Sequence, residues 1–233
     1  MSGIRKRAWF VTGTDTEVGK TAVSCALLKA AEQQGLCTLG LKPVAAGCDA
    51  QGHNGDALAL MAAMTQSLPY AQVNPVALPL PLAPHIAAGR AGKRVQISQL
   101  AGLCRGAMGG AAGRFADITL IEGAGGWRVP LNERETLADL ARELQLGVIM
   151  VVGMRLGCIN HALLTAEAIH RDGLPLVGWV ANQCDKIMDG HQENIETLRR
   201  WLGVPLLGDI PHIVPFDAIL AANHLDFNNL LSL

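Results

Sequence analysis

The densest chemistry in the chain is the run Gly13-Thr14-Asp15-Thr16-Glu17-Val18-Gly19-Lys20-Thr21. A glycine-containing loop that closes on Gly-Lys-Thr at a helix start offers successive backbone N–H groups and the positive end of a helix dipole. Together they favour a polyphosphate. In such a loop Lys20 neutralises the β- and γ-phosphates, and the Thr21 hydroxyl is a ligand for magnesium. Five residues separate Gly13 from Gly19. The strict pattern has about four there, so Thr14 stands in the first-glycine place. An ordinary glycine turn before a helix is the plain alternative, and the Gly-Lys-Thr triplet between a strand and a helix argues against it. The loop marks a nucleotide-binding enzyme or switch and chooses no substrate.

Three further charges call for a role. Glu122 ends the apolar run Ile118–Ile121 and opens Glu122-Gly123-Ala124-Gly125-Gly126-Trp127. Strand C-termini in open α/β sheets face the ligand crevice. A carboxylate there suits Mg²⁺, which prefers hard oxygen ligands, although a solvated acid at a turn fits the same place. Asp56, in Asn54-Gly55-Asp56-Ala57, equally suits a metal ligand or an acid complementing a helix dipole. Lys42 follows the run Cys37–Leu41 and precedes Pro43. From a strand end it can reach the crevice of Glu122 and stabilise negative charge on a carboxylate, carbamate or transferred phosphoryl group. A surface lysine is the commoner fate.

The elements that must position these residues alternate. Short apolar runs and longer helical stretches follow one another, as in a parallel sheet covered on both faces. Strands are expected at Ala8–Thr12, Cys37–Leu41, Ile118–Ile121, Val148–Val152, Leu176–Ala181 and Pro205–Leu207. Helices are expected at Lys20–Gln34, with Gly35 as its stop, at Asp56–Met64, after Ser98, from an N-cap at Thr136 through Leu144, near His161–His170, and at Glu193–Leu202. Five prolines between Pro69 and Pro84 predict a long shaped loop. No linker or repeat interrupts the 233 residues, which read as one α/β domain spanning 1–233, a P-loop NTPase-like fold with a mostly parallel sheet.

Composition narrows the class. Nineteen basic and twenty acidic residues leave a net charge of −1 with no basic run, against nonspecific nucleic-acid binding, which needs clustered Lys and Arg. Arg5, Lys6 and Arg7 precede only Ala8-Trp9-Phe10-Val11, too short for a signal-peptide core or a membrane span. The six cysteines form no CxxC pair and read as reduced structural thiols of a cytoplasmic protein.

The residues now carry a resemblance. The blocks Gly13–Thr21, Lys42-Pro43-Val44, Gly55–Leu60, Val73-Asn74-Pro75, Pro84-His85, Glu122–Trp127, Leu156–Thr165 and Gly178–Asn182 are similar to those of the dethiobiotin synthetase family through nearly the whole length. The block Leu156-Gly157-Cys158-Ile159-Asn160-His161-Ala162-Leu163-Leu164-Thr165 is demanded by no generic nucleotide fold. The resemblance implies an ATP-dependent ring closure of diaminopelargonate with CO₂ or bicarbonate, through a carbamate that ATP phosphorylates. It implies Mg²⁺ held by Thr21, Asp56 and Glu122, phosphates on Lys20, and the carbamate steadied by Lys42. ATP would contact Glu17, Val18, Gly19, Lys20, Thr21, Ala22, Asp56, Glu122, Gly123, Ala124 and Gly125. Asn182 would read the adenine edge with Gln183, Pro211, His212 and Ile213.

Substrate would meet Thr14, Lys42 and Ala46, where many members carry serine. Its carboxylate tail would meet Gly157, Cys158, Ile159 and Asn160 of a second subunit, making the protein a homodimer with a shared site. Asn160 can cap that helix as well as donate to a carboxylate. His161 suits capping or packing rather than general base catalysis, Cys158 a backbone donor rather than a nucleophile, and Trp127 packing. Two rivals share the fold. Partition- or septum-site-type ATPase switches carry a second lysine five residues before the loop lysine, where this chain has Asp15, and their membrane-attached versions end in a basic amphipathic helix, whereas Asn223–Leu233 has no Lys or Arg. Amidating ligases of corrin synthesis add a glutaminase domain, for which the chain after residue 210 is too short.

Overall fold

The computed structural model describes residues 7–109, 115–185 and 188–232. Arg5 and Lys6 of the basic start, and Leu233 of the tail, lie outside the described residues. In chain order the elements are β1 (Arg7–Gly13), α1 (Lys20–Gln33), β2 (Thr38–Leu41), β3 (Val44–Ala46), α2 (Gly55–Ala63), α3 (Tyr70–Val73), β4 (Val76–Leu78), α4 (Pro84–Arg90), α5 (Ile97–Met108), β5 (Ile118–Glu122), α6 (Leu137–Glu143), β6 (Gly147–Gly153), α7 (Cys158–Arg171), β7 (Leu176–Asn182), α8 (His191–Leu202), β8 (Leu206–Ile210), α9 (Ala218–Ala222) and α10 (Phe227–Leu231).

Six strands form one sheet in the order β2-β5-β1-β6-β7-β8, every pair parallel. Every residue of β2 and β5 is buried, as are the six of β6 that follow Gly147. That is why these strands read as unbroken apolar runs rather than alternating ones: a parallel sheet roofed by helices hides both faces. The sheet is α/β and P-loop NTPase-like, as expected. The chain turns outward on one side of β1 to reach β2 and later fills the gap with β5. It then builds β6, β7 and β8 on the other side of β1. The reversal falls at β1, so the crevice beyond the C-terminal ends of β1, β5 and β6 is where this architecture holds a ligand.

The expected N-cap at Thr136 is present as a capping box. The Thr136 backbone N–H and hydroxyl both donate to Asp139 Oδ2, at 2.8 and 2.9 Å. Two regions differ from the sequence expectation. The proline-rich stretch is not irregular: it holds α3 and β4, and β4 pairs in parallel with β3 through Val44↔Val76 and Ala46↔Leu78. The prolines bound these elements instead of breaking them. Pro69 precedes α3, Pro75 and Pro79 flank β4, and Pro84 takes the first turn of α4, where a missing N–H costs nothing. The last strand is longer than the apolar run Pro205–Leu207 and shifted, because Gly208 and Asp209 interrupt the hydrophobic signal without interrupting the pairing. The helices α4, α9 and α10 are short and carry no strong periodic signal. All six cysteines are free. Among the described residues no helix is long and apolar enough to cross a membrane.

Candidate active site

The phosphate loop leaves β1 at Gly13 and is held from three directions. The Thr14 N–H donates to the Val151 carbonyl of β6 at 3.0 Å. Val18 is 1% exposed, wedged inward as an anchor. Gly19 is left-handed at φ +82° and caps α1, and Asn182 from the end of β7 lies directly over it. Any side chain at Gly19 would displace that amide, and the positive φ disfavours an L-residue in any case. Asn182 donates its Nδ2 to the Val18 carbonyl at 3.0 Å, so the residue expected to read a base also staples the loop. Lys20 folds back over the loop, its Nζ 2.9 Å from the Asp15 carbonyl. Burial lowers its pKa to about 8, helped by the nearby Lys42 ammonium and opposed by Glu122, Asp56 and Asp15. An incoming polyanion supplies the counter-charge that this lysine lacks.

One strand away, Lys42 binds two carboxylates. Its Nζ lies 2.6 Å from Glu122 Oε1, 2.9 Å from Asp56 Oδ2 and 3.1 Å from the Gly123 carbonyl. Lys42 and Glu122 are 3% and 1% exposed. Burial alone would discharge the lysine, but Glu122 and Asp56 outweigh it and raise its pKa above the ordinary value. Burial likewise opposes ionisation of Asp56, and the Lys42 ammonium overrides it, holding the carboxyl below its usual range. The Thr21 hydroxyl donates to Glu122 Oε1 at 2.7 Å. The other carboxylate oxygen, Glu122 Oε2, is enclosed and has no hydrogen-bond partner. A buried charged oxygen without a partner is costly, and a cation is what its chemistry lacks. Among the described residues no group of three His, Cys, Asp or Glu gathers as a metal site. Magnesium does not need one: it binds through one or two carboxylates together with substrate phosphates and water. Thr21, Asp56 and Glu122 fit that donor set.

Neighbouring elements fix these side chains. The Lys42 N–H donates to the Val73 carbonyl at 2.9 Å, and Asn74 Nδ2 donates to the Lys42 carbonyl at 2.6 Å. Tyr70 OH accepts from the Asn54 N–H at 2.8 Å and donates to Asn74 Oδ1 at 2.9 Å. Asn54 caps α2, accepting from the N–H groups of Asp56 and Ala57 at 3.0 and 3.3 Å. Tyr70 therefore ties the backbone of Lys42 to the helix start that presents Asp56.

Two adjoining cavities open on the loop. One of about 710 Å³ is lined by Thr16, Glu17, Gly19, Lys20, Thr21, Lys42, Ala46, Asp56, Ala124 and Gly125, with Asn54 and Pro81–Pro84 as its far wall. The second, about 250 Å³, shares Glu17 and Gly19 and runs over Ala22, Asn182, Gln183, Cys184, Pro211, His212, Ile213 and Phe216. A third, about 670 Å³, lies among the connections that lead into β6 and β7, lined by Gln145 and Pro175. Its acids Glu135, Asp139, Glu143 and Asp172 are already engaged by protein donors.

The structure thus gathers most sequence-predicted site residues into the first two cavities. Glu122 and Gly123 contact Lys42 just beneath the first, and Val18 is buried behind the loop. Thr14 and the segment Gly157, Cys158, Ile159 and Asn160 line neither cavity. Helix α7 is capped by left-handed Gly157, φ +93°, and not by Asn160, which is exposed one turn in. His161 is exposed. Cys158 is buried, and burial raises its pKa, against a nucleophilic role. Trp127 does pack, edge-on to Phe10 at 5.9 Å with Nε1 donating to Asp172 at 2.7 Å. Asn54, Asn74, Tyr70 and Phe216 were not singled out from sequence. Only the Asn54-Gly55-Asp56 cap signature and the Val73-Asn74-Pro75 block pointed their way.

Comparisons with known proteins complete the picture. A family profile described as an AAA domain matches residues 7–218. The ATP-dependent dethiobiotin synthetase BioD of Cellvibrio japonicus is 56% identical over 229 residues, 97% of this chain and 98% of that protein. Proteins of the same name from Pseudomonas aeruginosa and Marinobacter nauticus are 51% and 52% identical, covering 96% and 88% of this chain and 97% and 88% of their own. Among solved structures, a ParA family ATPase from Chlorobium tepidum matches with a TM-score of 0.58 at 12% identity, covering 97% of this chain and 99% of that one. The MinC:MinD cell division complex of Aquifex aeolicus matches with a TM-score of 0.59 at 13% identity, covering 97% and 94%. Likeness at that identity speaks for the fold alone.

Proposed function

The chain belongs to the ATP-dependent dethiobiotin synthetase family, and on that premise we propose how its residues carry out the reaction. Diaminopelargonate and CO₂ form a carbamate, ATP phosphorylates it, and the neighbouring amine closes the ureido ring with loss of phosphate. Each step moves negative charge across one crevice and needs positioned cations more than a protein nucleophile. The observation that carries the reading is the buried Lys42 ammonium, held against Glu122 and Asp56 beside the phosphate loop.

In this reading Lys20 leaves the Asp15 carbonyl for the β- and γ-phosphates. Lys42 turns from its carboxylates toward the carbamate and its phosphorylated form, close to where the γ-phosphate arrives. Thr21, Asp56 and Glu122 would hold Mg²⁺, whose charge, when bound, neutralises the phosphate oxygens. Asn182 and Gln183, with Pro211, His212 and Ile213, bind the base. Ala46 borders the diamine from the wall of the larger cavity, and Thr14, outside that wall, would meet it from the phosphate loop. The segment Gly157–Asn160 lines none of the three cavities described and suits the carboxylate tail of a substrate held by a second subunit, in a homodimeric, cytoplasmic, one-domain enzyme. The positive dipole end of α7 favours such an anion, although the Cys158 N–H is already given to the Arg155 carbonyl at 2.9 Å.

The nucleotide-switch alternative is disfavoured by Asp15. It stands where such switches place a lysine and is paired instead with Arg155 at 2.7 Å. The test is direct: purified protein with diaminopelargonate, bicarbonate and MgATP should yield dethiobiotin by mass, with phosphate release dependent on the diamine, on bicarbonate and on magnesium. Equal ATP turnover without the diamine would overturn the reading.

A further inference from the structure

Behind the smaller cavity Gln183 joins two polar side chains, His191 and Asp209, to which the reaction assigns no work. Gln183 follows β7 and lines the cavity. Its Nε2 lies 3.2 Å from His191 Nε2 and 3.4 Å from Asp209 Oδ1. His191, the first residue of α8 and 4% exposed, places Nε2 at 2.9 and 3.1 Å from the two oxygens of Asp209. Asp209 interrupts the apolar run of β8 and does not line the cavity. The buried histidine is an expensive feature for a fold to keep unless it is paired, and the partly exposed Asp209 is its partner.

An ionised carboxylate only accepts hydrogen bonds. Asp209 therefore fixes the proton of His191 on Nε2 and draws the amide N–H of Gln183 toward itself, so that the 3.2 Å approach of the two nitrogens is one between two donors to the same carboxylate. Among the described residues Gln183 Oε1 has no hydrogen-bond partner and is not enclosed, which leaves it as an acceptor on the cavity side. The neighbouring Asn182 is arranged alike: its Nδ2 is spent on the Val18 carbonyl and Cys184 Sγ, so its oxygen is the end left over. Two side-chain acceptors stand together in the cavity.

We propose that Asp209, acting with His191, is a positioning residue that fixes the Gln183 amide with its oxygen toward the nucleobase, so that the site selects a base bearing an exocyclic amino group over one bearing a keto oxygen there. The inference rests on the proposed reading of the small cavity as the base site. An amino group donates to both acceptors, whereas a keto oxygen meets two lone-pair bearers and is repelled. Inosine triphosphate, which replaces only the 6-amino group of ATP by a keto oxygen and protonates N1, is therefore the probe.

With wild-type protein, dethiobiotin formation at limiting nucleotide should prefer ATP over inosine triphosphate by at least about tenfold, the size of an unmatched buried polar contact. Asp209→Asn replaces the acceptor-only group by an amide that can face either way, so Gln183 is free to invert. The preference should fall severalfold, through KM with kcat at saturating ATP little altered. Gln183→Ala should lower the preference similarly, and adding Asp209→Asn to it should change the ratio no further. A purely structural Asp209 would instead lower stability and kcat for both nucleotides and leave their ratio intact. That result, or a further fall of the ratio in the double variant, overturns the proposal. Wild-type protein that consumes neither nucleotide with the diamine would instead overturn the synthetase reading. Direct binding of ATP and inosine triphosphate by calorimetry, without the diamine, would still measure the ratio in that case.

Discussion

Lys20 and Lys42 sit on adjoining segments of one crevice, both buried, yet their surroundings set them opposite tasks. Lys20 lacks a carboxylate partner and is pushed down to about 8; Lys42 has two and is held charged. The first is primed to gain a partner, and the second already owns more negative charge than it balances. Replacing Lys20 by Ala should weaken nucleotide binding and slow turnover together. Lys42→Gln should leave ATP binding largely intact while cutting ring closure by about 10²–10³-fold, the usual cost of one lost transition-state charge contact. Calorimetric ATP affinity measured beside the rate of dethiobiotin formation separates the two, and full activity of Lys42→Gln would remove it from the chemistry. At this scale the sequence was legible where residue type and place coincide, as in Gly19-Lys20-Thr21 or a lone acid ending an apolar strand. It was mute on Asn74 and Tyr70, whose work is to hold backbone, because an asparagine that clamps a carbonyl looks like any loop asparagine.

Elements follow the same division. The buried parallel strands announced themselves because burial on both faces leaves no polar position to confuse the pattern. The pair β3–β4 hid because three residues are too few to show a period and prolines on either side imitate a loop. Helix α6 was found through its cap, and that cap has a measurable pH signature. Burial would raise the pKa of Asp139, but hydrogen bonds from Thr136 and the Arg142 charge outweigh it and lower the value. A carboxyl whose folded pKa is depressed stabilises fully above its unfolded value, near 4, and loses that contribution as pH falls through the folded one. Asp139→Ala should therefore cost about 1 kcal/mol at neutral pH, read from urea midpoints. The gap to wild type should narrow as pH drops below about 4. A gap independent of pH would mean that the carboxylate charge plays no part in the cap.

For the whole molecule, the open question is what covers the exposed start of α7. Leu156 is 96% exposed and Leu164 57%, flanking the segment proposed to meet a neighbour's substrate. A subunit-mixing experiment decides it. Asn160→Asp sets a negative charge against the substrate carboxylate, and Lys42→Gln removes the chemistry. Each variant alone should be nearly inactive, and mixed subunits should regain activity, because in a hybrid dimer one site carries neither change. No recovery after verified subunit exchange would count against a shared site, and a monomeric mass in solution would end the idea.

The clamp of Val73 and Asn74 on the backbone of Lys42 has one more consequence. The phosphate loop leans on β1, β6 and β7, all laid down in the main sheet. Lys42 leans instead on a detour of chain that leaves after β3, rounds an exposed turn at Gln51-Gly52 and comes back at α3 and β4. The phosphate loop and the Lys42–Asp56 pair are therefore underwritten by different stretches of polypeptide. Exposed turns of small and polar residues are where proteases cut. A nick there would spare the supports of the phosphate loop and loosen Lys42 together with Asp56, the pair proposed to meet the phosphates from the other side.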